Sequence, residues 1–230
     1  MRLRRLVGWA GEVVITLGVL LLLFVAWQLW WTDVVSNREA ARVVATLEQE
    51  FAREGLTPVA VPASGIPAGI GEDGAFAIVR IPRFGADYAR PLLEGTDRPV
   101  LALGLGHYAG TAGPGRVGNF SIAGHRTTYG RPLHDVERLR DGDRVVVETA
   151  GEVHVYEVTS RDVVRPSDAE VIAPVPDDPG ATPTQALLTM TSCHPKYSAT
   201  ERFVVHGRLV ETVPRAEWDP SRWLTTPTEG

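Results

Sequence analysis

Residues 186–210 read ALLTMTSCHPKYSATERFVVHGRLV. Two apolar and β-branched runs, ALLTMTS (186–192) and RFVVHGRLV (202–210), flank a polar segment that contains a proline. Such runs, bounded by turn residues, predict two strands joined as an antiparallel hairpin around the loop HPKYSATE. Side chains alternate along a strand, so Thr189, Thr191 and Cys193 share one face. Cys193 then ends one strand while Arg202 begins its neighbour, and paired strands lie roughly 4.7–4.9 Å apart. The spacing alone sets a thiol beside a permanent positive charge. A guanidinium there favours the thiolate and can donate to a developing oxyanion.

The same texture extends upstream. FAIVRI (76–81), NFSIAG (119–124), RVVVET (144–149) and EVHVYEVTSRDVV (152–164) are further short runs separated by turn residues. Between the second and third, Pro132–Arg140 predicts a short helix packing Leu133, Val136 and Leu139. Closely spaced strands with few helices between Ala75 and Val210 predict an all-β barrel or sandwich. No period of 20–50 residues recurs, so a solenoid is excluded.

The N-terminus has a different character. Arg2, Arg4 and Arg5 precede Val13–Trp31, which reads VVITLGVLLLLFVAWQLWW without a charge. That run is just long enough for a helix to cross a hydrocarbon core of roughly 30 Å. Arginines before it place the N-terminus in the cytoplasm, and Trp27, Trp30 and Trp31 suit the outer interface. The run is longer than a cleavable signal's apolar region and ends in bulky Leu-Trp-Trp, so it reads as an uncleaved anchor. Asn37 to Glu54 predicts a second helix, capped by Ser36 or Asn37 and stopped by Gly55, with Val43, Val44, Leu47 and Phe51 as its apolar stripe. Residues 56–74 are rich in proline and glycine and read as a flexible tether. Beyond Glu211 the prolines Pro214, Pro220 and Pro227 and the lack of periodicity predict a largely irregular tail.

Composition narrows the chemistry. The chain has 230 residues, 44% of them apolar and 22% charged, an ordinary globular balance. With 23 Lys and Arg against 28 Asp and Glu it is mildly acidic, which argues against a nucleic-acid binder. Cys193 is the only cysteine, excluding an intramolecular disulfide and any zinc site that needs two thiolates. A free cysteine is usually buried and inert, but outside the cell an idle exposed thiol is an oxidation liability. A cysteine nucleophile also needs a proton carrier. Among six histidines, His125 closes the run NFSIAGH and would sit at a strand's end. His154 and His206 alternate with strand valines and read as surface or packing positions. His194 adjoins the cysteine but points to the other face.

Thr189-Met190-Thr191-Ser192-Cys193, with Arg202 nine residues on and Gly124-His125 upstream, resembles the signature of the sortases. These are membrane-anchored cysteine transpeptidases of Gram-positive bacteria, built on a closed eight-stranded β-barrel. The segment GHYAGTAGPGRVGNFSIAGHRTTYG (106–130) with CHPKYSATER (193–202) is most similar to the class E members of actinobacteria. Met190 departs from the family's usual leucine, a swap that conserves volume. The resemblance implies a catalytic barrel over 75–211, after a cytoplasmic N-terminus and transmembrane anchor (1–31) and a helical stalk with linker (32–74), and before the tail (212–230). It implies Cys193 as nucleophile, His125 as general acid and base, and Arg202 as oxyanion and substrate support. It also implies Tyr108, with its neighbour His107 and with Thr191, at the substrate. The implied reaction cleaves an LAXTG- or LPXTG-type sorting signal between Thr and Gly through a thioacyl-enzyme. The implied partners are secreted proteins bearing that signal, a cell-wall precursor amine and the cytoplasmic membrane, with the catalytic domain extracellular.

No cofactor is expected. The segment Arg165–Thr184 scatters Asp168, Glu170, Asp177 and Asp178 among five prolines, so no required metal is expected either. Three other readings compete. A papain-like or amidase cysteine hydrolase would usually place its cysteine before its histidine. A non-enzymatic tethered β-domain binding a wall component would tolerate loss of Cys193, His125 and Arg202. A sorting substrate would need a terminal sorting motif, which Trp218–Gly230 lacks.

Overall fold

The computed structural model describes residues 2–54, 66, 69 and 74–225; the tether expected over 56–74 falls largely outside them. Eight strands form the body: β1 (Ala75–Arg80), β2 (Arg90–Glu94), β3 (Leu105–His107), β4 (Gly118–Ala123), β5 (Arg144–Glu148), β6 (Glu152–Val164), β7 (Ala186–His194) and β8 (Glu201–Pro214). They close into a barrel in the order β1-β2-β3-β4-β7-β8-β6-β5. The pairs β2–β3 and β4–β7 are parallel and the others antiparallel. The hairpin expected from the first stretch of sequence forms, and its strands run further than predicted, through His194 and from Glu201.

Alternation fills the interior. Phe120 and Ile122 of β4, Leu188 and Met190 of β7, and Val205 of β8 join Phe76, Val79, Leu92, Leu105 and Tyr156 in one buried cluster. Leu133, Val136 and Leu139 cap it as expected, around a 3₁₀ turn at Val136–Arg138. The residues between these on β4, β7 and β8 therefore face outward. Part of that outer wall is covered by the segment after β6, where Asn119 Nδ2 donates to the carbonyls of Val171 and Ala173 at 3.2 and 2.9 Å.

Three expectations are corrected. No break separates two N-terminal helices: α1 runs unbroken from Arg2 to Glu54, about 80 Å at 1.5 Å per residue. Ser36 and Asn37 lie inside it, because the apolar run before them already supplies helical turns and no proline or glycine lies between Trp31 and Glu54. Its apolar stripe forms as expected: Val43, Val44, Leu47 and Phe51 pack on Ala75, Ile78, Leu93 and Ala150 outside the barrel. Two short strands escaped notice, β2 and β3, with the helix α2 (Arg98–Leu103) between them. The tail is also not irregular throughout. β8 extends to Pro214, a 3₁₀ turn follows at Arg215–Glu217, and α3 spans Pro220–Trp223. Trp218, Trp223 and Leu224 are partly buried against Val146, Val153 and Val155, so apolar burial orders it.

Candidate active site

The parallel register of β4 and β7 pairs Ala123 with Thr191. Gly124 continues the tie, its N–H donating to Thr191 O at 3.2 Å and its carbonyl accepting from Ser192 Oγ at 2.9 Å. A Cβ at Gly124 would lie 2.6 Å from Leu105 Cδ2 and 3.0 Å from Leu133 Cγ, so a side chain there would have to push two core leucines aside. One residue further, His125 arrives beside Cys193. On the other side the antiparallel register pairs Cys193 with Arg202. His125, Cys193 and Arg202 thus form a row across three adjacent strands, all on the outer wall.

The row lines a cleft of about 230 Å³, shared with Tyr108, Thr191, Thr96 and Leu101. All three residues are half-exposed. Arg202 Nη1 donates to the carbonyls of Ala199 and Glu201 at 3.0 and 2.9 Å, pinning the side chain at the mouth of β8. Tyr108 Oη and Thr191 Oγ1 hydrogen bond at 2.8 Å in the cleft. The imidazole of His125 lies 5.1 Å from the Tyr129 ring, at 31°. Its Nε2 is buried without a hydrogen-bond partner among the described residues. Burial, and then the positive charge of Arg98, lower its pKa below the usual histidine value, which favours the neutral ring.

Behind the row lies Arg126, 1% exposed. Its guanidinium donates to Cys193 O at 3.1 Å and to His134 O at 3.2 Å, and pairs with Glu137 at 2.5 Å. It stands 5.6 Å above the Phe203 ring. Lys196, in the loop after Cys193, meets the same carboxylate at 3.1 Å. Burial opposes ionisation of Glu137, but these two cations prevail and hold it below the usual carboxylate range.

One expected contact is corrected. His107 does not reach the cleft: it is fully buried, stacked 5.4 Å from Phe120. Its Nδ1 meets Glu94 at 2.7 Å, and its Nε2 meets Thr111 Oγ1 and Ala112 O at 2.9 and 3.0 Å. Neighbours on a strand face opposite ways, so Tyr108 and His107 could not both line it. His206 is a packing residue, bonded through Nδ1 to Thr189 Oγ1 at 2.9 Å. His194 packs on Phe203 at 5.7 Å. Thr96, Leu101, Arg98 and Tyr129 were not anticipated. Asp97 followed by Arg98-Pro99 is a helix-start pattern that could have flagged the first three. Among the described residues no group of three or more His, Cys, Asp or Glu side chains could hold a metal ion.

Comparison with known proteins agrees with this architecture. Residues 79–210 match the sortase domain family. Sortase SrtE1 of Streptomyces coelicolor is 37% identical over 219 residues, a match that covers 91% of this chain and 59% of that protein. The structure of sortase E from Streptomyces avermitilis superposes with a TM-score of 0.59 at 41% identity, over 66% of this chain and 97% of that one. Sortase E1 from S. coelicolor, solved with a tripeptide in its active site, gives a TM-score of 0.59 at 37% identity, over 64% of this chain and 95% of that one. The chain belongs to the sortase family. It spans 59% of the length of SrtE1.

Proposed function

We propose that the chain is a membrane-anchored cysteine transpeptidase. It cleaves an LAXTG- or LPXTG-type sorting signal between Thr and Gly and passes the cleaved protein to a cell-wall amine. The observation that carries the reading is the outer-wall row of His125, Cys193 and Arg202 in one cleft. The tripeptide in the active site of the S. coelicolor sortase E1 structure supports a peptide substrate. One N-terminal helix long and apolar enough to cross a membrane supports the anchor.

The chemistry follows from the groups present. Cys193 Sγ attacks the Thr carbonyl carbon while its proton passes to the neutral imidazole of His125. Arg202, with backbone N–H groups near Cys193, holds the oxyanion. Collapse breaks the Thr–Gly bond, and His125 gives its proton to the departing glycine amine, leaving a thioester. An acceptor amine then attacks the thioester, and its proton returns through His125 to the Cys193 thiolate. A lowered histidine pKa suits both halves, because the imidazole starts unprotonated and its conjugate acid donates readily. Tyr108 and Thr191, which share the cleft with Cys193, would contact the signal's residues before the Thr.

Mass spectrometry of the full chain incubated with LAXTG and LPXTG peptides tests this. The expected result is a thioester adduct on Cys193 with release of a glycine-headed fragment, and Cys193→Ala keeping its circular dichroism but forming neither. Lack of an adduct with both peptides would leave a tethered β-domain as the remaining reading, and turnover by Cys193→Ala would end the assignment of Cys193 as the nucleophile.

A further inference from the structure

Asp33 follows Trp31 by two residues on α1, just where the uncharged run ends. Its carboxylate accepts twice from the loop after His125. Gly130 N–H donates to Oδ1 at 3.1 Å, and Arg131 Nε meets Oδ2 at 2.9 Å. One turn further along α1, Asn37 Oδ1 accepts from Arg90 Nη2 at 2.9 Å, and the same nitrogen donates to Gly130 O at 3.3 Å. Both polar groups of the Gly130 backbone are therefore tied to α1, directly or through Arg90. A Cβ at Gly130 would lie 2.8 Å from Asn37 Oδ1, so a side chain there would displace the Asn37 amide from its place over the loop.

The loop held in this way is strained. Tyr129, Gly130 and Arg131 have φ of +52°, +74° and +51°, three successive left-handed residues. For a non-glycine residue that conformation costs about 1–2 kcal/mol, and it persists only where the surroundings enforce it. Nearer the apolar end of α1, helix and loop part around a cleft of about 530 Å³ lined by Gln28, Trp30, Thr127, Thr128 and Tyr197 among others. Towards α1 the loop is thus held by polar contacts at Asp33 and Asn37 rather than by a packed face, while within itself Arg131 N–H donates to Thr128 O at 3.0 Å. Tyr129, the first strained residue, has its ring beside the His125 imidazole and its hydroxyl held by Arg98 Nη2 at 2.9 Å.

We infer that Asp33 is a positioning residue for His125: by holding Gly130 and Arg131 it maintains the left-handed turn that sets Tyr129 against the imidazole. The helix that carries the apolar run thereby completes the site as well as tethering it. This rests on the proposed role of His125.

The test uses the full chain in detergent micelles, with active sites counted by alkylation of Cys193. Asp33→Ala should lower kcat for the LAXTG peptide about ten- to a hundredfold, with KM within a factor of about two, as expected when a catalytic group is misplaced. The ring carbon resonance of His125, assigned with His125→Gln, should shift and broaden in the same variant. Asp33→Asn keeps an acceptor for Gly130 N–H and should fall between. Glu39→Ala, which removes only an exposed pair with Arg42, should match wild type. Wild-type kcat and an unmoved His125 resonance in Asp33→Ala, alongside normal acylation by wild type, would overturn the inference and leave the proposed function standing. A wild type that never acylates would remove the proposed function instead. The His125 resonance would still report whether Asp33 holds the ring.

Discussion

Arg202 spends only part of its guanidinium on the protein. Nη1 serves the carbonyls of Ala199 in the loop and Glu201 at the start of β8, while Nε and Nη2 donate to no protein group among the described residues. The planar fork can therefore hold the loop with one nitrogen and meet a substrate oxygen with the others. An ammonium offers its donors from a single point and cannot span both tasks. Arg202→Lys should lower kcat/KM for the LAXTG peptide about a hundredfold, the usual cost of losing one oxyanion donor, with unchanged circular dichroism. A value within about threefold of wild type would show that bare charge suffices. At this scale the sequence was informative where residues are local. Cys193 and Arg202 flank one loop of one hairpin, so alternation alone pairs them. The link from His125 to Cys193 was not legible from spacing, because parallel pairing of β4 with β7 crosses two intervening strands; only the resemblance to a family supplied it. His107 adjoins Tyr108 in sequence, but strand alternation turns it inward, so adjacency along the chain does not place it in the cleft.

The element that joins these pieces is the exit of β4. Arg126 stands one residue after His125, and its buried guanidinium ties that exit to the end of β7 through Cys193 O and to the following turn through His134 O and Glu137. Arg126→Met keeps a stem of similar length over Phe203 but strands two carbonyls. Each carbonyl left unsatisfied costs about 1–3 kcal/mol, so urea denaturation should show a loss of about 2–6 kcal/mol, at the low end because both are only partly buried. Glu137, still paired with Lys196, limits the damage. No loss of stability would mean that the exit is held by the strand bonds alone. Elements were legible in proportion to their length. The long runs of β6, β7 and β8 declare themselves, whereas β3 has three residues and β2 contains Pro91, so neither offers a period to count. α1 was divided in two because Ser36 and Asn37 are good caps, yet tertiary packing of its distal stripe overrides that local preference. The tail's tryptophans lack a helical or strand period, and their burial depends on a sheet face formed elsewhere.

The closed barrel as a whole responds to acid. His154 is 3% exposed and bonded through Nδ1 to Thr212 Oγ1 at 3.1 Å. Burial, and then the charge of Arg116, push its pKa down to about 4. Glu152 comes within 3.9 Å of its Nε2 but is half-exposed, too solvated to reverse this. In the unfolded chain the ring titrates near 6.5. As pH falls from about 6.5 towards about 4 the unfolded chain therefore takes up a proton that the folded barrel refuses, and stability is lost by up to about 3 kcal/mol. His125 and His206 are lowered in the same direction, chiefly by burial. The thermal midpoint should fall steadily between pH 7 and 4.5, and His154→Gln should flatten that fall. Equal pH slopes for the two proteins would show that His154 accepts its proton without unfolding.

The unbroken α1 has a consequence for reach. A body on a slack leash wanders through a hemisphere, but this one is bolted to a stiff pole by Val43, Val44, Leu47 and Phe51. Whatever medium grips the pole at Val13–Trp31 also aims the sulfur, fixing its altitude and bearing. On the proposed function, polypeptides presented at another height, or from behind the pole, would pass by uncut even with the right residues in the right order.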